Sequence, residues 1–158
     1  MNKKTNKEEI IVPALRNGTV IDHIPSDKLF KVMTLLHLDR LKSQMIFGYN
    51  VGSLRMKDRT KSIIKVSDRY FSSQELNQLS VICPNVTLNV IHEYEVVEKR
   101  QVVMPDELHG IMKCANPKCI TNHEPMETRF KVIDKEKGVI RCHYCEKEQV
   151  ISPDNIIK

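Results

Sequence analysis

Tryptophan is absent from this 158-residue chain, glycine occurs five times, and aromatic residues make up only 5% of it. Each shortage excludes something. Proteins that grip nucleic acid stack bases on exposed rings or present a dense basic face, so few rings and a formal charge of +5 argue against nucleic acid as a partner. Five glycines leave no glycine-rich loop to cradle phosphates, so an enzyme turning over a nucleotide through such a loop is not expected. No apolar run approaches the roughly 18 residues of a membrane-spanning helix, so no membrane partner is expected. The opening stretch, MNKKTNKEEI, has neither an apolar core nor a small-residue cleavage site; a secretory signal is not expected, and a reducing cytoplasmic setting is. No serine, histidine and aspartate set and no cysteine and histidine set stands out, so no chemistry of the chain's own is expected.

What is present is cysteine, and most of it is clustered. KCANPKC (113–119) is followed by RCHYCEK (141–147), so four residues separate Cys114 from Cys119, 22 separate Cys119 from Cys142, and two separate Cys142 from Cys145. Two close pairs joined by a long loop are what a tetrahedral Zn²⁺ needs, since each pair closes a tight turn and the loop brings the turns face to face. Disulfides fit poorly with a reducing compartment and an odd fifth cysteine. A redox dithiol at CHYC would lead into a helix, whereas EKEQVIS has the pattern of a strand. Four thiolates close the metal's shell, so the expected cofactor is one structural Zn²⁺ with Cys114, Cys119, Cys142 and Cys145 as ligands. With only Phe130 and Tyr144 as rings, the C-terminal region lacks a sufficient core, and metal binding of order 10 kcal/mol would supply much of its folding free energy. Lys113, Lys118, Arg141 and Lys147 flank the thiolates and would offset their excess charge. His123 and His143 are read as solvated neighbours, and Cys83 as a small core residue.

Before the cysteines the periodicity alternates between 2 and 3.6. IIVPAL and GTVIDHI (18–24) read as strands, and PSDKLFKVMTLLHL as a helix capped by Ser26 or Asp27, with Leu29, Val32, Met33 and Leu36 along one stripe. QMIFGYNV (44–51) and SIIKVSD (62–68) read as strands around the basic loop SLRMKDRTK. A second helix follows, with Ser72 and Glu75 as a capping box, Leu76, Leu79 and Cys83 on one face, and Pro84 as its stop. VTLNVIH (86–92) and YEVVEKR (94–100) close a hairpin, QVVMPDELHG is a linker, and TRFKVID, GVIRC and KEQVIS supply the last strands. The fold class expected is α+β: a ferredoxin-like sandwich over residues 1–100, with two helices on an antiparallel sheet, and a small all-β zinc-binding domain over residues 101–158.

On the first domain, Asp22 and His23 stand at a strand end before a helix, where a carboxylate can accept from hydroxyls or an amine and an imidazole can reach a phosphate; taken alone, a plain strand-end turn is the better reading of them. Lys65 alternates with Ile64 and Val66 and so points away from them, and Asn89, Tyr94 and Lys99 lie on the neighbouring hairpin. For a compact zinc module with exposed polar turns, an interaction surface and a nucleic-acid finger are the two readings, and the second remains the alternative for the whole chain.

Taken together, RNGTVIDHIP, NVIHEYEVVEKR and KCANPKCITNHEP followed by RCHYCEKE resemble the regulatory chains of aspartate carbamoyltransferase over residues 12–151. The resemblance implies a non-catalytic allosteric subunit that pairs with its twin, binds CTP, UTP or ATP, and passes feedback regulation of pyrimidine biosynthesis to a catalytic chain. It implies base and ribose contacts at Ala14, Leu15, Val20, Asp22, Lys65, Ile91, Tyr94 and Val96, and triphosphate contacts at His23, Asn89, Lys99 and Lys61. It places Asn116, Lys118, Tyr144, Glu146 and Lys147 on the turns presented to the catalytic chain. Two departures stand out: Pro13 removes a backbone donor near the base pocket, and the loop before Lys61 diverges from the family pattern.

Overall fold

Strict alternation builds the first sheet. A computed structural model describes residues 14–53 and 60–157, and in it Gly18–Ile24 (β1), Met45–Gly52 (β2), Thr60–Ser67 (β3), Thr87–His92 (β4) and Glu95–Gln101 (β5) pair antiparallel in the order β2-β3-β1-β4-β5. Ile21, Ile64, Val66 and Leu88 point to one face and are buried there. The helices Leu29–Leu35 (α1) and Ser73–Ile82 (α2) cover that face with Leu29, Val32, Met33, Leu76 and Leu79, and Leu36, Cys83 and Val102 complete the core. The β1-α1-β2-β3-α2-β4 order on an antiparallel sheet is the expected ferredoxin-like arrangement, extended by β5. No helix among the described residues is long and apolar enough to cross a membrane.

The two helix starts differ. At α2 the Ser72 half of the expected capping box forms, with Ser72 Oγ accepting the Glu75 N–H at 3.2 Å, while the Glu75 carboxylate accepts from Arg69 at 2.9 Å and from the Ser72 hydroxyl at 3.4 Å. At α1 neither Ser26 nor Asp27 caps: both belong to a 3-10 turn, Ser26–Lys28, and α1 begins after Lys28 without a side-chain cap. The Ser26 hydroxyl is drawn to Ser62 Oγ instead, at 3.2 Å. The helix also ends earlier than its apolar stripe suggests, because His37 turns left-handed at φ 54° and a second 3-10 turn, Leu38–Arg40, follows. The IIVPAL stretch up to Pro13, and residues 54–59 of the basic loop, lie outside the described residues.

The second sheet orders Glu107–His109 (β6), Arg129–Asp134 (β7), Val139–Cys142 (β8) and Glu148–Val150 (β9) antiparallel, in sequence. The stretch expected to be a linker thus contributes a strand: Leu108 pairs with Phe130 and is fully buried, and Val102 and Met104 are buried just before it. Leu108, Ile111, Met112, Phe130, Ile140 and Ile156 form a second core, which Val81 of α2 joins, with Leu35 and Ile82 packed against it. The two cores therefore meet at the C-terminal ends of the two helices. The last residues are stitched to this sheet's domain, with Ile157 N–H donating to the Ile111 carbonyl at 2.7 Å and Lys113 N–H to that of Asn155 at 2.6 Å.

Candidate metal centre and the open sheet face

The four clustered cysteines converge. Their Sγ atoms all lie within 4.8 Å of one another, with Cys114 to Cys145 and Cys119 to Cys142 at 3.7 Å, and none is disulfide-bonded. A disulfide would need about 2.05 Å, whereas thiolates about 2.3 Å from a common tetrahedral centre stand about 3.8 Å apart. The donor set therefore fits a four-coordinate, thiophilic metal ion.

The turns that carry the cysteines are fixed by hydrogen bonds. In the first, the Asn116 carbonyl accepts the Cys119 N–H at 3.0 Å and its Oδ1 accepts the Lys118 N–H at 3.1 Å. In the second, the Cys142 carbonyl accepts the Glu146 N–H and the Cys142 N–H donates to the Lys147 carbonyl, both at 3.0 Å, with Glu146 left-handed at φ 62°. Two residues the sequence did not single out brace them. Asn122 Nδ2 donates to the carbonyls of Cys114 and Asn116 at 3.0 and 2.8 Å, and Gln149 on β9 ties both Ala115 N–H and the Lys113 carbonyl to the sheet. An asparagine and a glutamine are too common in loops and edge strands for sequence alone to flag them.

Protonation is uneven across the cage. Burial pushes the Cys114 thiol up to about 12 and raises Cys142 as well. Burial also raises Cys145, but the Lys147 N–H and the Asn116 side chain outweigh it and hold that thiol at about 7. The flanking cations are not all available to offset thiolate charge: the Arg141 guanidinium is paired with Glu148 at 2.7 Å. His123 bonds the Pro117 carbonyl at 2.8 Å and His143 stacks edge-on against Tyr144, so neither joins the thiol cluster. Lys118, Tyr144, Glu146 and Lys147 are exposed around the cage, while Asn116 is half-buried and its side chain serves the Lys118 N–H and Cys145.

The first sheet has one face without helices, and register places most of the remaining candidates on it. Lys65 on β3 lies opposite Val20 on β1, Val20 opposite Asn89 on β4, and Asn89 opposite Lys99 on β5. Opposed residues of an antiparallel pair share a face, so the four form one row across the sheet. Ile91 lies on the same face as Asn89, across from Val96. Asp22 follows Val20 on the open face and is paired with Lys61 Nζ at 2.8 Å. Its Oδ1 also accepts the His23 N–H at 2.6 Å. At this point β1, the central strand, bulges near its C-terminal end, with His23 left-handed at φ 59°, a device that re-aims a side chain.

Two features of this face are costly for a plain surface. The Asn89 Oδ1 is buried without a hydrogen-bond partner among the described residues. Lys65 is pulled below the usual lysine range by burial, which the nearby Asp22 carboxylate partly offsets. Ala14 and Leu15 lead into β1, Val96 and Lys99 are exposed on β5, and Tyr94 is 64% exposed at the tip of the β4–β5 hairpin. That tip is strained: Glu93 and Tyr94 are both left-handed, at φ 48° and 68°, in a turn that ordinarily takes asparagine and glycine. Asn17 Oδ1 accepts the Glu93 N–H at 3.0 Å and the Arg16 carbonyl accepts that of Tyr94, which anchors the tip beside the start of β1.

The fold and the site define a two-part protein: an antiparallel α/β sandwich with one helix-free sheet face, joined to a small all-β domain that carries a four-cysteine cluster. Comparison with known proteins gives the particular family. Residues 10–103 match the family model of the aspartate carbamoyltransferase regulatory chain, allosteric domain, and residues 106–155 that of its metal binding domain. Aspartate carbamoyltransferase regulatory chains of Phocaeicola vulgatus and Bacteroides thetaiotaomicron are 60% and 57% identical, over 94% and 91% of this chain and 95% and 93% of theirs. That of Pyrococcus abyssi is 45% identical over 88% of this chain and 91% of its own. The chain belongs to the aspartate carbamoyltransferase regulatory chain family.

Proposed function

We propose that the chain is a non-catalytic allosteric subunit that binds nucleoside triphosphates on the helix-free face of its first sheet and relays their presence to a catalytic chain through a structural zinc domain. Residues 1–100 act as the nucleotide domain and residues 101–158 as the zinc domain. The observation that carries this reading is the in-register row of Lys65, Asn89 and Lys99 beside the Asp22 and Lys61 pair. Two lysines and an amide in one row offer N–H donors to an anionic ligand, and donors of that kind make charge-assisted hydrogen bonds to phosphate. A triphosphate would take Lys61, Lys99, the His23 imidazole and the Asn89 amide N–H. The ribose and base would take Asp22, Lys65 and Tyr94, with Val20, Ile91 and Val96 as the apolar bed and the backbone at Ala14 and Leu15 as the edge that discriminates bases.

The sulfur donors and their spacing favour Zn²⁺ as the metal, and with all four positions filled by protein it would hold the domain together without touching substrate. When bound, the ion supplies a cross-link between the two cysteine turns, and those turns present Lys118, Tyr144, Glu146 and Lys147 to the catalytic chain. A second copy of the chain pairs through the nucleotide domain, so the isolated chain is expected as a dimer at micromolar concentration in a cytoplasmic setting. Titration calorimetry of the zinc-loaded chain with CTP and with ATP tests the central part. Saturable binding without hydrolysis is expected, and Lys65→Ala should weaken it about tenfold, the loss of one charge-assisted hydrogen bond. Binding of neither nucleotide by the folded, zinc-loaded chain would refute the reading.

A further inference from the structure

A cavity of about 430 Å³ opens where the two domains meet, on the opposite side of the first sheet from the proposed nucleotide face. Its walls come from both domains: Phe30 and Leu35 on α1, Ile82 on α2, and Ile156 and Ile157 from the C-terminal segment that is stitched to the zinc domain. Lys31 and Arg40 stand at its rim with Asp39, and none of the three is in an ion pair among the described residues. Two cations against one carboxylate leave the rim positive over an aliphatic floor. That volume lies in the range of small-molecule sites, which are mostly apolar, carry a few polar groups for orientation, and favour domain interfaces.

We propose that this cavity is a second ligand site, for a small amphipathic anion: an aromatic or aliphatic body carrying one acidic group. The body rests on Leu35, Ile82 and Ile156, with Phe30 as a side wall, and the acid group meets Lys31 and Arg40 at the rim. One acidic group is favoured over two or three, because Asp39 repels further negative charge. A molecule seated there touches both domains at once, so it favours the relative placement of the domains that the cavity requires. The site is distinct from the nucleotide face in both location and chemistry, and it does not depend on nucleotide binding.

The test uses 8-anilinonaphthalene-1-sulfonate, whose two ring systems carry a single sulfonate, and its neutral counterpart N-phenyl-1-naphthylamine, titrated by fluorescence into the full zinc-loaded chain. One saturable sulfonate site per chain is expected. The pair Lys31→Ala and Arg40→Ala should weaken the sulfonate about tenfold while leaving the neutral probe unchanged. Thr34→Trp, on the exposed wall of the cavity, should abolish both, and Lys65→Ala should affect neither. An unchanged circular dichroism spectrum and thermal midpoint would show that Thr34→Trp is folded; the double variant, at two exposed positions, keeps the test decisive if Thr34→Trp is not. Absence of stoichiometric binding, equal loss of both probes in the double variant, or loss in Lys65→Ala would overturn the proposal.

Discussion

Five cysteines divide into one that chemistry cannot reach and four that a metal would hold. Cys83 is 1% exposed and burial pushes its thiol up to about 12, so it should stay silent to a thiol-specific disulfide reagent at pH 8 in the folded chain. The metal-loaded chain should therefore release almost no colour, and a chelator should release four thiols per chain ahead of the fifth. The same group predicts alkaline behaviour: its folded value lies above the ordinary 9.0, so its contribution to stability is complete below pH 9 and falls as the pH rises towards 12. A Cys83→Ala variant should flatten that fall in urea midpoints measured from pH 8 to 11. Metal loading runs the other way. Protons compete with the ion for all four thiols, and burial keeps Cys114 protonated far above neutrality, so apparent metal affinity should rise from pH 6 to pH 8. Competition with a chromogenic chelator would read it, and a flat profile would contradict the thiolate cage. The convergence of the four cysteines was legible in the sequence, because donor type and spacing specify such a cluster. Asn122 and Gln149 were not, because what makes them matter is a carbonyl brought near by folding.

At the scale of elements, local chemistry decided some features and tertiary contacts the others. The α2 cap was legible because the Ser72 hydroxyl bonds within its own helix start, to Glu75, and Ser72→Ala should cost about 1 kcal/mol in denaturant unfolding. Ser26 carries the same residue type at an equally plausible position, but Ser62, 36 residues away, takes its hydroxyl, so Ser26→Ala should not show a helix-cap loss. Strand β6 was missed for a related reason. The four residues between Pro105 and Gly110 are too few to show a period, and only pairing with β7 makes Glu107–His109 a strand. The β4–β5 hairpin gives the sharpest test at this scale. Its left-handed Tyr94 stores about 1 kcal/mol or more of strain that glycine would not. Tyr94→Gly should raise the thermal midpoint and lower nucleotide affinity together; a variant less stable than the parent would show that the ring, at 64% exposure, packs more than it strains.

Across the whole molecule, one continuous packing path joins the sheet that carries the proposed nucleotide face to the cysteine cluster. The sheet rests on α1 and α2, and the C-terminal ends of those helices, at Leu35, Val81 and Ile82, are part of the second core that surrounds the cysteines. Packed cores that share a seam tend to have discrete arrangements rather than deform smoothly, which would suit the proposed relay. The seam was not legible in the sequence, since Val81 and Ile82 read as the end of an amphipathic helix belonging to the first domain alone. The most direct test of the account is reciprocity in the complex with the catalytic chain: the CTP dissociation constant is measured with and without a saturating catalytic-site ligand. Coupling of about 1 to 3 kcal/mol is expected, so the constant should change by about 5- to 150-fold, with CTP changing the catalytic-site ligand's affinity by the same factor. Identical CTP affinity in both states, with the complex intact, would contradict the account.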